Sequence, residues 1–212
     1  TGKPVTLDEG VLSELDQAIE KVRQDSPQLV LLRSSSEKFF CVGANLNVLK
    51  ETTEQSIVPW VMLGHAVLNK LEDLPMPVVA VVEGYAMGGG LELAMACDLI
   101  FACDTAKFAQ SEAGLGFIPG WGGTRRLAQR IGVAKAKYYF YSGKMMNATT
   151  AEAIGLIDIV GDKEALDAEI QEFTKGVLAQ NTNALSQFKI IVNNDQNSNR
   201  DENAAVEAFR SV

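Results

Sequence analysis

The sequence predicts an α/β body followed by an α-helical extension. Strand-like and helix-like segments alternate through the first part of the chain, and helical patterns dominate beyond Ala134. Val78 to Val82 is the most β-branched run present, as a buried strand requires. With 212 residues, 47% of them hydrophobic and 22% charged, the chain can bury one sizeable soluble core.

The elements follow in order. From Asp8 to Val22, the apolar residues Val11, Leu12, Leu15, Ile19 and Val22 recur at helical spacing behind an Asp N-cap. Leu29 to Leu32 reads as a short buried strand, and Phe39 to Leu49 as a glycine-containing loop leading toward a helix. Ile57 to Leu74 is helical, stopped by Pro75 and Pro77. The strand Val78 to Val82 then runs toward a helix over Gly88 to Cys97, and Asp98 to Ala102 is a further strand. After Pro119 a glycine cluster opens a helix over Thr124 to Ile131. Leu156 to Val160 reads as a strand. Ala165 to Leu178, Ala184 to Val192 and Asn203 to Phe209 form a helical tail, with a polar, turn-like connection over Asn193 to Asn203.

A net charge of −8 argues against nucleic acid as the main partner. Cys41, Cys97 and Cys103 are too few and too widely spaced for a disulfide framework or a zinc motif, and read as buried reduced thiols. No apolar run approaches the roughly 18 residues of a membrane span. The chain opens at Thr1 without an initiator Met, so an upstream piece is expected to be missing.

Chemistry concentrates in the middle. Gly88, Gly89 and Gly90 open a helix after a strand, leaving backbone N–H groups where the helix dipole favours negative charge. The triplet does not fit G-x-G-x-x-G, because Ala86 stands where a glycine would be needed, and no P-loop pattern occurs. His65 is the only histidine and sits among apolar residues of a helix, so Ser–His or Cys–His catalysis and a His-based metal site are disfavoured. It reads as structural or surface-facing. Glu92 is one charge in an apolar helix start and must face a cleft, a partner or water. Glu112 follows twenty residues later in a loop. An oxyanion site beside two carboxylates suits chemistry next to a carbonyl.

Three blocks carry a family likeness: FCVGAN over Phe40 to Asn45, EGYAMGGGLELAMACD over Glu83 to Asp98, and Gln110 to Leu127 with its IPGWGGTRRL ending. In order and spacing they resemble the enoyl-CoA hydratase/isomerase (crotonase) superfamily over most of the chain. The resemblance implies a spiral of ββα turns, which periodicity alone does not distinguish from a doubly wound sheet. It implies a core over 1–155, with N-terminal strands missing before Thr1, and a mainly helical, truncated trimerisation region over 156–212. The expected assembly is a homotrimer or dimer of trimers, with no membrane partner. The location implied is a bacterial cytoplasm, or a mitochondrial matrix after removal of a transit peptide.

The resemblance further implies coenzyme A thioester substrates, with no tightly bound cofactor and no metal. Backbone N–H groups of Ala44 and Gly89 would hold the thioester oxygen. Glu92 and Glu112 would act on a water and the C2 proton, in a reversible syn-type hydration of a 2-enoyl-CoA. Gly43, Gly88, Pro119, Gly120 and Trp121 would contact substrate. Lys3 and Lys50 are candidates for the nucleotide phosphates. Asn45 stands where many members carry Asp, and Trp121 where a small residue is common. Trp121 is expected either to narrow the acyl pocket or to pack into the core. The alternatives are an enoyl-CoA isomerase, which can work with one glutamate, a methylglutaconyl-CoA hydratase, and a noncatalytic or RNA-associated member. The intact glutamate pair favours hydration, and with the acidic charge it disfavours the noncatalytic reading.

Overall fold

A computed structural model describes residues 4–51 and 53–196, with the side chains of residues 50, 51, 54 and 194–196 left outside the described part. The phosphate-contact candidates Lys3 and Lys50, and the helix expected over Asn203 to Phe209, therefore lie outside the described residues or side chains.

Helix α1 (Glu9–Asp25) starts where the Asp8 side chain accepts from the Val11 amide, and it turns Leu12 and Ile19 inward. Strands β1 (Val30–Arg33) and β2 (Phe39–Cys41) follow, then helices α2 (Leu46–Glu51) and α3 (Glu54–Glu72). The next turn is β3 (Val78–Val82), β4 (Tyr85–Met87) and α4 (Gly89–Met95). After it come β5 (Leu99–Cys103), β6 (Lys107–Ala109), a 3₁₀ turn over Glu112–Leu115, α5 (Gly123–Ile131) and α6 (Val133–Ser142). The chain continues through β7 (Met146–Asn147), α7 (Ala148–Ala153), β8 (Ile159–Gly161), α8 (Lys163–Leu178) and α9 (Thr182–Gln196).

The strands form two four-stranded sheets, ordered β1-β3-β5-β8 and β2-β4-β6-β7. All pairs are parallel except β6 with β7. Each of the first three turns gives one strand to each sheet before its helices, which makes the fold a spiral of ββα turns and not one doubly wound sheet. Strand β3 is central and buried at every position, so its β-branched run shows no alternation.

Several expectations need correction. Strand β1 is an edge strand that alternates half-buried and exposed residues, not a buried one. The region read as a loop over Phe39 to Leu49 contains β2 and most of α2. Strands β4, β6 and β7 escaped detection because two or three residues cannot display a period of two. Helix α3 begins earlier than expected, where Thr53 and Ser56 form a capping box, and it carries Pro59 inside. The connection expected from Asn193 onward is helical as far as Gln196. The tail is fastened by buried Lys189 of α9, whose Nζ donates to Asp98 Oδ2 at 2.7 Å and to the Met76 carbonyl at 3.1 Å. The three cysteines are free and buried, and burial pushes the Cys41 thiol up to about 11 and that of Cys97 to about 12. His65 is buried in α3, in keeping with the structural arm of its reading.

Candidate active site

Each of the three consecutive glycines is demanded by a different neighbour. Gly88 has φ +51°, and a Cβ there would sit 3.2 Å from Glu112 Oε1. At Gly89 a Cβ would lie 2.5 Å from the Trp121 ring, and at Gly90 it would overlap the Cys41 carbonyl of β2. The triplet lets α4 start in close contact with β2, the Trp121 loop and the second glutamate at once.

One turn into α4, Glu92 is 1% exposed. Its Oε1 accepts from the backbone N–H of Trp121 at 2.8 Å and of Gly123 at 2.7 Å. Helix α5 begins at Gly123 behind Gly122, which has no side chain to cap it. The Glu92 carboxylate therefore caps α5 from a distant helix, placing negative charge at its positive end. Glu112 opens the 3₁₀ turn and is partly exposed. Its Oε1 accepts from Gln110 Nε2 at 2.9 Å. Gln110 is 1% exposed, and a Cβ on Gly123 would lie 2.9 Å from its Nε2 and 2.8 Å from Glu92 Oε1. The Gln110 amide thus holds Glu112 from behind the cavity wall.

Ala44 pairs with Leu7 in an isolated parallel bridge, in which Leu7 N–H donates to the Gly43 carbonyl and Asn45 N–H donates to the Leu7 carbonyl. That pattern turns the Ala44 N–H to the opposite side. Gly43, at φ +84°, lies so near α4 that a Cβ would come within 2.8 Å of the Gly89 nitrogen. Ala44 and Gly89 are thereby brought together.

A cavity of about 80 Å³ collects these groups. Ala44, Gly88, Gly89, Glu92, Glu112, Gly120 and Trp121 all line it. Gly43 and Pro119 stand behind the wall: Gly43 against Gly89, and Pro119 against Gly123. Trp121 is 2% exposed, packed in the core as one arm of its expectation has it, and it also lines the cavity.

The loop carrying Trp121 is braced from below. Arg126 is 3% exposed and donates from Nη1 to the Trp121 carbonyl at 2.7 Å. Its Nη2 meets Glu72 Oε2 at 2.7 Å and Asn69 Oδ1 at 2.9 Å, both on α3. Arg125 joins the same carboxylate at 2.8 Å. Burial pushes the Glu72 carboxyl up, but the Arg126 and Arg125 guanidiniums outweigh it and hold it below the ordinary value.

Sequence reasoning missed the apolar wall. Ile57, Trp60 and Val61 of α3 line the cavity, as do Leu115 and Phe117. Trp60 is 6% exposed, and its ring meets that of Trp121 edge-on at 5.0 Å and 71°. Neither indole Nε1 has a hydrogen-bond partner among the described residues, a condition that costs about 1–3 kcal/mol per donor. The spacing of 57, 60, 61 and 64 along one helix face was the available signal. Gln110 and the Arg126–Glu72 pair were also missed.

Comparison with known proteins identifies the family and the fold. A family model described as enoyl-CoA hydratase/isomerase matches residues 3–210. The chain is 34% identical over 203 residues to a crotonyl-CoA hydratase of Syntrophomonas wolfei, covering 95% of this chain and 78% of that one. It is 35% identical over 184 residues to the mitochondrial methylglutaconyl-CoA hydratase of Rattus norvegicus, covering 82% and 58%. A crystal structure of an enoyl-CoA hydratase from Bacillus anthracis superposes with a TM-score of 0.86 at 30% identity, covering 98% of this chain and 81% of the other. The chain belongs to the enoyl-CoA hydratase/isomerase family and has the crotonase fold.

Proposed function

We propose that the protein hydrates 2-enoyl-CoA thioesters reversibly, using Glu92 and Glu112 with the backbone amides of Ala44 and Gly89. The observation that carries this reading is that both carboxylates and both amide-bearing residues line one small cavity. Among the described residues neither amide donates a hydrogen bond, so both remain available to a thioester oxygen. Donors fixed before reaction stabilise the enolate charge that appears only as the transition state is approached.

The water lies between the carboxylates. Glu92 takes its proton as the oxygen bonds to C3. The C2–C3 π pair moves onto C2 and the thioester oxygen, where the two amides receive the charge. Glu112, which enters the step carrying a proton, gives it to C2 from the same side in a syn-type addition, and the water proton left on Glu92 restores the pair after the product leaves. Glu92 suits the first role because two amides hold its Oε1 in place as an acceptor. Both acids line the same cavity, so the division describes the main path of each proton.

The C-terminal part, from residue 156, serves assembly into a homotrimer or dimer of trimers. Leu178, Phe188 and Ile191 of α8 and α9 support this, being 53%, 72% and 61% exposed. Sedimentation of Phe188→Glu should show smaller species than the parent chain.

The deciding experiment is turnover on a panel of CoA thioesters from crotonyl to decenoyl, with 3-methylglutaconyl included. Hydration abolished by either glutamate substitution supports this reading. Double-bond migration as the main reaction, lost with only one of the two, would establish an isomerase instead.

A further inference from the structure

We propose that Trp60 sets the length of acyl group the cavity accepts, acting with Trp121 as a two-ring stop. This rests on the reading that the cavity holds the acyl part of a CoA thioester.

The argument begins on one face of α3. Ile57, Trp60, Val61 and Gly64 follow at i, i+3, i+4 and i+7, and so share that face. The first three line the cavity, while Gly64 is a socket: a Cβ there would overlap the Trp121 indole. On its other side the same indole meets Gly89, where a Cβ would lie 2.5 Å from the ring. Trp121 is therefore clamped between two backbones and cannot retreat without disturbing Gly89. Trp60 meets the clamped ring edge-on and sits at the helix turn of Pro59, which supplies no amide donor. Of the two rings, it is the one that can be trimmed without moving the amides.

The unpaired indole N–H groups point the same way. Rings that make no hydrogen bond contribute volume and shape, not a polar handle. The cavity they line is small, about 80 Å³, so the two rings bound the room left for an acyl chain.

The test measures binding, so it does not depend on turnover. Butyryl-, hexanoyl-, octanoyl- and decanoyl-CoA are titrated calorimetrically into the parent chain, Trp60→Leu and Trp60→Phe. Hydration of the matching enoyl thioesters is followed in parallel. A methylene that finds room adds about fourfold in affinity. The parent chain should gain up to hexanoyl and then lose. Trp60→Leu should carry the gain to octanoyl or beyond and raise the decanoyl-to-butyryl affinity ratio by at least about tenfold. Trp60→Phe should fall between.

A parent chain that gains steadily through decanoyl overturns the proposal, whether or not Trp60→Leu folds. So does a folded Trp60→Leu or Trp60→Phe with the parent profile. If the binding profile shifts as expected but no enoyl thioester is hydrated, selectivity stands and hydration fails. Hydration with an unshifted profile gives the reverse, and absence of any acyl-CoA binding removes both.

Discussion

Glu92 enters the cavity from a helix buried at every position, its Oε1 gripped by amides that open α5. Glu112 enters from a 3₁₀ turn with no buried residue, its Oε1 met by the side chain of Gln110. The first carboxylate is built into the fold, because the same group that would direct a water also caps a helix. The second stands at a rim where Ala113 to Gly116 are exposed. Two acids on one cavity can therefore share chemistry while differing sharply in what they contribute to stability.

The largest effect should come from removing either charge with little change of shape. Glu92→Gln and Glu112→Gln should each lower hydration by about 10²- to 10⁴-fold, the usual worth of a positioned acid or base. In Glu92→Gln the amide oxygen can still accept from Trp121 and Gly123, so the melting temperature should hardly move. Near-normal turnover in either variant would remove that glutamate from the mechanism.

The bracing below Glu92 gives the next effect. Glu72→Ala leaves the Arg126 guanidinium buried without its carboxylate, which should cost about 3–5 kcal/mol. The folded-state carboxyl of Glu72 lies below its ordinary value of 4.5. Its contribution is therefore fully present above about pH 4.5 and is lost as pH falls through the lower folded value. Chemical denaturation across pH 3–7 should show the parent chain losing more stability on acidification than Glu72→Gln. Equal slopes would mean that the pair does not stabilise the loop.

The same contrast governs what the sequence discloses. Glu92 is legible locally, since a lone charge in an apolar helix start must find a partner or a cleft. Glu112 is not, because a glutamate in a polar loop has no cost to explain, and only the surrounding motifs single it out. Strand β3 is legible from five apolar residues in a row, whereas β4 and β6 owe their existence to parallel partners in neighbouring turns. Trp60 reads as one more apolar residue of a helix until Trp121, sixty-one positions later in sequence, is folded against it. The Glu72–Arg126 pair spans 54 residues, so no local spacing rule reaches it. What escapes the sequence is whatever a distant turn supplies.

Truncating the acids to alanine sharpens the comparison on stability. Glu92→Ala leaves the buried Trp121 and Gly123 amides without their acceptor, which should cost about 1–3 kcal/mol. At about 2–4 °C per kcal/mol for a chain of this size, the melting temperature should drop measurably. Glu112→Ala, at the rim, should stay within about 1 kcal/mol of the parent chain. Equal losses would show that both carboxylates are structural to the same degree.

The smallest effect tests whether Glu112 depends on its neighbour for direction. Gln110 is buried, its Nε2 donates to Glu112, and its Oε1 has no hydrogen-bond partner among the described residues. Gln110→Leu keeps most of the volume and removes the donor, so the Glu112 carboxylate should lose its preferred orientation while the apolar wall of the cavity stays intact. The expected result is a fall in kcat of about tenfold with KM for crotonyl-CoA nearly unchanged, the pattern for a group that matters only in the transition state. Gln110→Asn shortens the reach without removing the amide and should recover only part of the loss. A rise in KM at constant kcat would instead place Gln110 in ground-state binding, and Glu112 would then be held without it.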